Sequence, residues 1–324
     1  MQTLSEIQNR VKQLFETENF VRQPKELYEP VQYALSQGGK RLRPSLLLAA
    51  CEMFGGNTAE AEKAAIGIEV FHNFTLLHDD LMDKSPLRRG KETVYRHWNE
   101  NIAILSGDTM FALAYQYFLE KPHKNLHQIL NTFTQTAIGV CDGQQYDMNF
   151  ETMSNVSIPD YMQMIKLKTS VLLAGALKIG ALFADANEKD TQLIYDFGIN
   201  MGLSFQLQDD LLDAFGNVAV FGKQTGTDIK DNKKTFLYLK ALEIATPQQR
   251  DTLQQLFATT PANPTEKINT VLDIYKILNI KTLVETEIEK YFQKALACVE
   301  EISLPKEQKQ IMYEVVKQLL GREL

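Results

Sequence analysis

Three aspartates lie close together at the end of an apolar stretch, in Leu76-Leu77-His78-Asp79-Asp80-Leu81-Met82-Asp83. The residues that lead into them are mostly apolar from Ala64 onward, which is typical of a buried helix. At about 100° per residue, Asp79 and Asp83 lie about 40° apart around such a helix and Asp80 lies within about 100° of both. Burying like charges unpaired is costly. The pattern therefore favours a site for hard cations over a solvated helix end, and oxygen ligands alone indicate Mg²⁺.

A second segment, Phe205-Gln206-Leu207-Gln208-Asp209-Asp210-Leu211-Leu212-Asp213, repeats the Asp-Asp-x-x-Asp spacing. It also ends an apolar run, which begins near Ile199. Two helices that present matched aspartates could hold several Mg²⁺ ions around a ligand of dense negative charge. Mg²⁺ commonly completes its shell with water and substrate phosphates, so the doubled motif predicts a diphosphate ligand.

The composition is that of an ordinary soluble globular protein, with 44% hydrophobic and 23% charged residues in a chain of 324. The net charge of −7 argues against a nucleic-acid-binding protein, which would need a basic face. Cys51, Cys141 and Cys298 show no metal-ligand spacing, which predicts reduced thiols. The first residues lack the apolar core of a signal peptide, and the most apolar run, 171–184, is too short to span a bilayer. We therefore expect a cytoplasmic protein without a membrane span.

Helical periodicity dominates the chain, and no strand-like alternation of apolar and polar residues persists. Thr246-Pro247-Gln248-Gln249 and Ser157-Ile158-Pro159-Asp160 have the form of helix starts, each with a capping side chain and a proline in the first turn. No linker or short repeat divides the chain, so we expect one all-α domain over residues 1–324. We predict helices near residues 4–17, 25–37, 44–54, 58–82, 100–119, 124–149, 159–184, 189–214, 233–244, 247–258, 265–278, 280–301 and 305–320.

Basic segments accompany the aspartates. Gly38-Gly39-Lys40-Arg41-Leu42-Arg43-Pro44 places three cations beside two glycines, where backbone and side chains could hold phosphate oxygens; a helix start with basic flanks is the common alternative. Arg88 and Arg89 follow the first motif and could merely neutralise it. Two arginines are more than neutralisation requires, so we favour contact with a diphosphate.

Two lysine-bearing segments lie farther along. Lys168-Thr169 falls within an otherwise apolar helix, where a lysine needs a partner. The Gly- and Lys-rich segment 221–235 follows the second motif. It is either an ordinary surface loop or an element that closes over the site and brings lysine to phosphate, and we favour the second interpretation.

These motifs, in this order, resemble those of the trans-prenyl diphosphate synthases, which make farnesyl, geranylgeranyl and longer polyprenyl diphosphates. The resemblance runs from Gly38 to about Thr235. It implies an all-α helical bundle of the isoprenoid synthase type, with a central cavity between the two Asp-bearing helices, and a homodimer. It also implies a prenyltransferase that condenses isopentenyl diphosphate head to tail with allylic diphosphates.

The resemblance also implies residue roles. Three Mg²⁺ ions, held by Asp79, Asp83 and Asp209, would draw off the allylic diphosphate and leave an allylic cation. The alkene of isopentenyl diphosphate would attack this cation, and the departing diphosphate would take the proton. Stabilising charge on the leaving group is usually the largest catalytic contribution. Other residues would position ligands or metal-bound waters (Asp80, Asp210, Asp213), grip the allylic diphosphate or flank the cation (Arg88, Lys168, Thr169, Gln206, Lys223, Lys233), bind isopentenyl diphosphate (Lys40, Arg43, His72, Arg89) or line the cavity (Gln144).

Product length should depend on the side chain that closes the apolar end of the cavity. Phe74 lies five residues before Asp79, about 7.5 Å along the helix axis, where the family places this floor. An aromatic residue there resembles short-chain enzymes, while the small neighbour Thr75 slightly favours C20 geranylgeranyl over C15 farnesyl diphosphate. Phe71 would narrow the tunnel further. By composition alone Phe74 is by default a core residue, and both product lengths stay open.

One departure from the family and several alternatives bear on this interpretation. Asn232 precedes Lys233 where many bacterial members have glycine. A class I terpene cyclase also ionises a diphosphate, but its second motif usually differs and it would not need Lys40 and Arg43. A longer-chain polyprenyl synthase would share every motif but tends to have a small residue at the floor. A non-catalytic subunit typically loses one Asp motif, and both are intact here, so we favour the short-chain synthase.

Overall fold

The computed structural model describes residues 2–216, 225–258 and 263–320. The chain forms two compact units. Unit 1 comprises Met1–Thr134, Gly175–Ile194 and Ser303–Val315, and unit 2 comprises Gln135–Ala174, Tyr195–Ile302 and Val316–Leu324. The first Asp-rich motif therefore belongs to unit 1 and the second to unit 2. The single domain expected over residues 1–324 stays a prediction.

The fold is all-α, as the sequence predicts, and the ends of the long helices agree with the predicted ones to within a few residues. The helices are α1 (Leu4–Thr17), α2 (Lys25–Ser36), α3 (Leu42–Met53), α4 (Thr58–Met82), α5 (Val94–His97), α6 (Glu100–Leu119), α7 (Leu126–Thr152), α8 (Ile158–Ile165), α9 (Val171–Phe183), α10 (Glu188–Phe215), α11 (Thr227–Lys230), α12 (Phe236–Ile244), α13 (Pro247–Ala258), α14 (Pro264–Ile277), α15 (Ile280–Glu301) and α16 (Lys306–Leu320).

Both predicted helix starts have reciprocal caps. The Ser157 hydroxyl accepts from the Asp160 backbone N–H at 3.2 Å, and the Asp160 carboxylate accepts from the Ser157 N–H at 3.1 Å. Thr246 and Gln249 exchange the equivalent bonds at 3.3 and 3.0 Å. Each cap satisfies backbone donors that have no partner within the helix, at about 1 kcal/mol per cap.

A short hairpin interrupts the helices directly after the first Asp motif. Strands β1 (Leu87–Arg88) and β2 (Lys91–Glu92) pair antiparallel. The turn residues Arg89 and Gly90 have φ of +52° and +75°, the sign that a tight two-residue hairpin turn requires. Strands of two residues are too short to produce a periodic pattern, so they were not predicted.

One predicted helix is not continuous. Residues 159–184 form α8 and α9, separated by a π-helical turn over Lys166–Ser170. Such turns are rare and occur often at functional sites. Here the turn contains Lys168 and Thr169, two of the residues expected to grip the allylic diphosphate or flank the cation.

Helix α6 is the most apolar long helix of unit 1. Within the described ranges it alone is long and apolar enough to cross a membrane, and 44% of its most apolar stretch is buried in the fold. Core helices of globular proteins have the same composition, so this feature is weak support for a membrane span. α6 packs against α4, and Gly107 permits a close approach, because a Cβ there would lie 2.5 Å from His78 Cδ2.

Candidate active site

The three aspartates of the first motif have different surroundings at the end of α4. Asp80 is buried, with 5% of its surface exposed, whereas Asp79 is half-buried and Asp83 is exposed at the helix C-cap. Arg88, on strand β1, donates from Nε to both Asp80 oxygens at 2.8 Å and from Nη2 to Asp79 at 3.3 Å. Burial raises the pKa of Asp80, and the Arg88 hydrogen bond and charge oppose that rise. Arg88 thus makes the neutralising contacts that the sequence left as the alternative.

The two predicted basic segments meet in unit 1. Arg89 donates from Nη1 to the backbone oxygen of Gly38, and a Cβ at Gly39 would lie 2.7 Å from the Arg89 guanidinium nitrogens. Gly38 and Gly39 have φ of +81° and +121°, which glycine adopts without strain. The glycines therefore let the Arg89 hairpin lie directly on the backbone of the segment that carries Lys40, which is exposed.

Arg43 and His72 are joined directly. Arg43 Nη1 lies 2.9 Å from His72 Nε2. Burial, followed by the charges of Arg43 and Arg89, holds the pKa of His72 well below its ordinary range, so the neutral imidazole accepts the hydrogen bond. Burial lowers the pKa of Arg43 to about 10, and its Nε is a buried donor without a hydrogen-bond partner. An unmet donor of this kind is suited to an anionic ligand.

The neutral state of His72 predicts a pH dependence of stability. Because its folded pKa is lowered, the unfolded chain binds a proton below about pH 6.5 that the folded chain does not. Stability from this residue is therefore present above pH 6.5 and lost as the pH falls. Relative to His72→Gln, the wild-type free energy of unfolding should fall by about 1.4 kcal/mol per pH unit below pH 6.5. Urea denaturation at several pH values measures this; a pH-independent difference between the two proteins would contradict it.

A buried ion pair supports the same segment. Arg41 donates from Nη1 to Glu69 at 2.8 Å, with side chains 13% and 3% exposed, and it also donates to the Leu35 backbone oxygen. Asn73 Nδ2 donates to the same Glu69 oxygen at 3.2 Å. Arg41 holds a left-handed backbone, φ +46°, that is strained for a residue with a side chain. The pair therefore stabilises the chain between the glycines and α3.

Removing this pair should be costly. Glu69→Gln leaves the buried Arg41 guanidinium without a counter-charge, so we expect about 3 kcal/mol of lost stability in urea denaturation. The matched control is Glu62→Gln on the same helix, whose partner Arg10 is more exposed, with an expected loss below about 1 kcal/mol. Equal losses for the two variants would contradict the structural role of Glu69.

The second motif also divides into exposed and buried aspartates. Asp209 is exposed, whereas Asp210 is 6% exposed and accepts from Tyr161 and from Gln206 Nε2. Burial, with the charge of Asp228, raises the pKa of Asp210 well above its ordinary value. Asp213 accepts from two backbone N–H groups, those of Thr227 at 3.2 Å and Asp228 at 3.0 Å, and so fixes the start of α11.

The π-helical turn is positioned by glycines on other helices of unit 2. A Cβ at Gly143 on α7 would lie 2.7 Å from Lys168 Cα, and one at Gly202 on α10 would lie 2.6 Å from Ser170 Cα. Lys168 Nζ makes an ion pair of 2.6 Å with Asp147, and Thr169 donates to Gln206 Oε1 at 3.0 Å. Asp147 is therefore the partner that a lysine in this otherwise apolar segment was expected to need.

The remaining predicted residues are Gln144, Lys223 and Lys233. Gln144 is half-buried on α7. Lys233 is exposed, and its backbone N–H donates to the backbone oxygen of Asp228 at 2.9 Å. Lys223 lies outside the described residues. Asn232 has φ +60°, a conformation that glycine favours and asparagine tolerates, so the backbone here suits either residue.

Phe74 belongs to an aromatic cluster rather than acting alone. Its ring centroid lies 5.5 Å from Phe71, 5.3 Å from Phe111 and 4.8 Å from the His78 imidazole. Phe71 also contacts Phe133, at 5.2 Å between centroids. Thr75 turns its hydroxyl to the His72 backbone oxygen at 2.8 Å. Phe111 and Phe133 were not predicted, because only tertiary packing brings residues of α6 and α7 beside Phe74 and Phe71.

The donor set suits a hard cation. Burial, together with the charge of Asp213, raises the pKa of Asp228 to about 7, and burial also raises that of Asp213. A bound cation would relieve this crowding of carboxylates. Over the part of the chain that the structure describes, no three acidic, His or Cys side chains form a ready-made metal cage. Mg²⁺ commonly takes only one or two carboxylates and completes its shell with water and phosphate.

Comparison with known proteins decides the family. The polyprenyl synthetase family model matches residues 24–275. The chain belongs to this family. It is therefore a prenyltransferase, as the motifs predicted.

Proteins similar to this chain are named as synthases of geranylgeranyl or geranylfarnesyl diphosphate. A crystal structure of a geranylgeranyl pyrophosphate synthase superposes with a TM-score of 0.94 at 45% identity and full coverage of both chains. A geranylgeranyl diphosphate synthase of Methanosarcina mazei is 39% identical over 69% of each chain. A geranylfarnesyl diphosphate synthase of Natronomonas pharaonis is 36% identical over 68% of this chain and 70% of its own.

Proposed function

We propose that this prenyltransferase condenses isopentenyl diphosphate with allylic diphosphates and releases geranylgeranyl diphosphate, C20, as its main product. The observation that carries the proposal is the pair of intact Asp-rich motifs together with the joined Lys40/Arg43 and Arg89 segments. The Asp-rich motifs suit metal-assisted loss of an allylic diphosphate, and the basic segments suit binding of isopentenyl diphosphate, the other substrate.

In the proposed reaction, the C1–O bond of the allylic substrate breaks and diphosphate leaves with both electrons. The C3=C4 alkene of isopentenyl diphosphate then bonds through C4 to this C1, and a proton lost from C2 passes to the diphosphate. Lys168, Lys233, Lys223 and Arg88 would hold the leaving diphosphate, and Thr169 and Gln206 would turn oxygen atoms toward the developing cation. Arg43, Arg89, Lys40 and His72 would hold isopentenyl diphosphate, and Gln144 would line the cavity.

Mg²⁺ is the proposed metal, with three ions per site, and Asp79, Asp83 and Asp209 would be its protein ligands. When bound, it would stabilise negative charge on the departing diphosphate. Asp80, Asp210 and Asp213 would position these ligands, since each already accepts hydrogen bonds within its own unit.

Two observations support C20. Phe74 is braced by Phe71 and Phe111, so it can close a tunnel without swinging aside. Two of the similar proteins reported above are named as geranylgeranyl synthases. The geranylfarnesyl relative makes C25 the nearest competing product.

We also propose a cytoplasmic homodimer. Free thiols at Cys51, Cys141 and Cys298 suit a reducing compartment. Ile104, Leu105 and Leu119 of α6 are about half exposed, and a second copy of the chain would cover this apolar surface. Light scattering should give a dimer mass for the wild type and a monomer mass for Leu105→Glu; a wild-type monomer would refute the dimer.

The activity test uses labelled isopentenyl diphosphate, Mg²⁺ and the C5, C10 and C15 allylic primers in turn, followed by chromatography of the products. We expect a series that ends at C20 with each primer, and no product when Mg²⁺ is removed by EDTA. Products that end beyond C25 would refute the proposed floor. Failure to couple any primer, with diphosphate released from the C15 substrate, would indicate a cyclase instead.

A further inference from the structure

A chain of hydrogen bonds connects a buried tyrosine to the π-helical turn of unit 2. Tyr161 on α8 is 3% exposed, and its hydroxyl donates to Asp210 Oδ2. Gln206 Nε2 donates to Asp210 Oδ1 at 3.0 Å, and Thr169 Oγ1 donates to Gln206 Oε1 at 3.0 Å. Tyr161 was not among the predicted site residues.

The direction of these bonds follows from the donor and acceptor types. Asp210 accepts from Tyr161 at one oxygen and from Gln206 at the other, so the Gln206 atom that faces it is the amide nitrogen. The Gln206 oxygen is then the atom that faces Thr169. When the Thr169 hydroxyl donates its hydrogen to that oxygen, the lone pairs of the Thr169 hydroxyl oxygen point away from Gln206.

A reversed Gln206 amide would have the opposite effect. Its nitrogen would donate to Thr169, and the Thr169 hydroxyl hydrogen would turn outward in place of the lone pairs. An outward oxygen stabilises neighbouring positive charge, whereas an outward hydrogen destabilises it. Asp210 therefore determines the sign of the dipole that Thr169 presents.

We propose that Tyr161 and Asp210 are positioning residues that orient the Gln206 amide and, through it, the Thr169 hydroxyl toward the cation formed in the condensation. This inference rests on the proposed function, which places Thr169 and Gln206 beside the allylic substrate. Tyr161 occupies one Asp210 oxygen and leaves the other for Gln206, so its hydroxyl limits the carboxylate to one orientation.

The test is Tyr161→Phe, which removes one hydroxyl and keeps the ring. The matched control is Tyr238→Phe, because Tyr238 is similarly buried at 5% in unit 2 and its ring stacks on Phe257, with 3.9 Å between the ring centroids. We expect Tyr161→Phe to lower kcat at least about tenfold with KM for both substrates within about twofold of wild type. The control should keep the wild-type kcat.

A double-mutant cycle with Thr169→Val separates positioning from simple structural support. If Tyr161 acts through Thr169, then Tyr161→Phe should change kcat by less than about threefold in the Thr169→Val background. A wild-type kcat for Tyr161→Phe, or an equal loss in both backgrounds, would overturn the inference. If Tyr161→Phe proves poorly folded by circular dichroism, Asp210→Asn tests the same link through the cycle alone: because Asp210 also adjoins the proposed metal ligand Asp209, the expected result is a loss of kcat that is at least about tenfold smaller in the Thr169→Val background than in the wild type, and an equal loss in both backgrounds would overturn the inference. A wild-type enzyme that couples no primer would instead refute the proposed function.

Discussion

Phe74→Ala is expected to shift the main product from C20 to C25 or longer. The substitution removes the ring that Phe71 and Phe111 brace, and the space left is open to further five-carbon units of a growing apolar chain. Because the aspartates and cationic residues are untouched, the rate of the first condensation should stay within about threefold of wild type. Chromatography of dephosphorylated products at several times measures both quantities.

The control for this variant is Phe183→Ala, which removes a buried phenylalanine of unit 1 that packs against His123 at 4.9 Å. It should lower stability by about 3 kcal/mol or more and leave product length unchanged. Phe111→Ala should lengthen the product as well, since it removes the brace from Phe74. An unchanged product length for Phe74→Ala would refute the assignment of Phe74 as the residue that closes the tunnel, whether or not the variant loses stability.

Gly143→Ala is expected to lower kcat/KM for the allylic substrate by about 100-fold or more. A Cβ at this position would lie 2.7 Å from Lys168 Cα and closer still to its backbone nitrogen, so the π-helical turn must move. A displacement of about 1 Å in a positioning group is enough for a loss of this size. Steady-state kinetics with the allylic substrate varied measures it, and circular dichroism should still show a helical protein.

Gly139→Ala is a closely matched control, because Gly139 lies one turn earlier on α7. Its Cβ would meet Val171 and Leu167 side chains at 3.5 and 3.6 Å, which is ordinary van der Waals contact. We expect wild-type activity and a gain of up to about 1 kcal/mol in stability from the better helix former. Wild-type kinetics for Gly143→Ala would show that Lys168 does not need its present position.

Much of the fold could be predicted from the sequence because it depends on local signals. Apolar periodicity and capping residues such as Ser157 and Thr246 set helix ends within a few residues, since both act over one or two turns. The hairpin at Arg88 and the π-helical turn at Lys168 were missed. The first is too short to show a period, and the second depends on glycines of α7 and α10 that are distant in sequence.

The candidate site likewise combines features that the sequence predicts with features that only tertiary packing decides. Spacing alone predicted two aspartate triplets suited to Mg²⁺, and the family resemblance implied Asp79, Asp83 and Asp209 as the ligands and gave the cationic residues their roles. The sequence could not tell that Asp80 and Asp210 are buried acceptors with Arg88 and Tyr161 as partners. The two motifs share the same spacing of aspartates, so spacing does not distinguish the aspartates that are buried. The burial of each aspartate depends on which side chains other elements of the fold bring to it.

By itself, the sequence determined the all-α class, the helix boundaries, the prenyltransferase family and the residue types that can bind metal and diphosphate. Only the tertiary structure decided which of these residues contact each other: Arg43 with His72, Arg41 with Glu69 and Thr169 with Gln206. Helix formation depends on residues three to four apart, which the sequence shows directly. Contacts between helices depend on packing of residues far apart in the chain, and packing selects one set of partners among many that the chemistry permits.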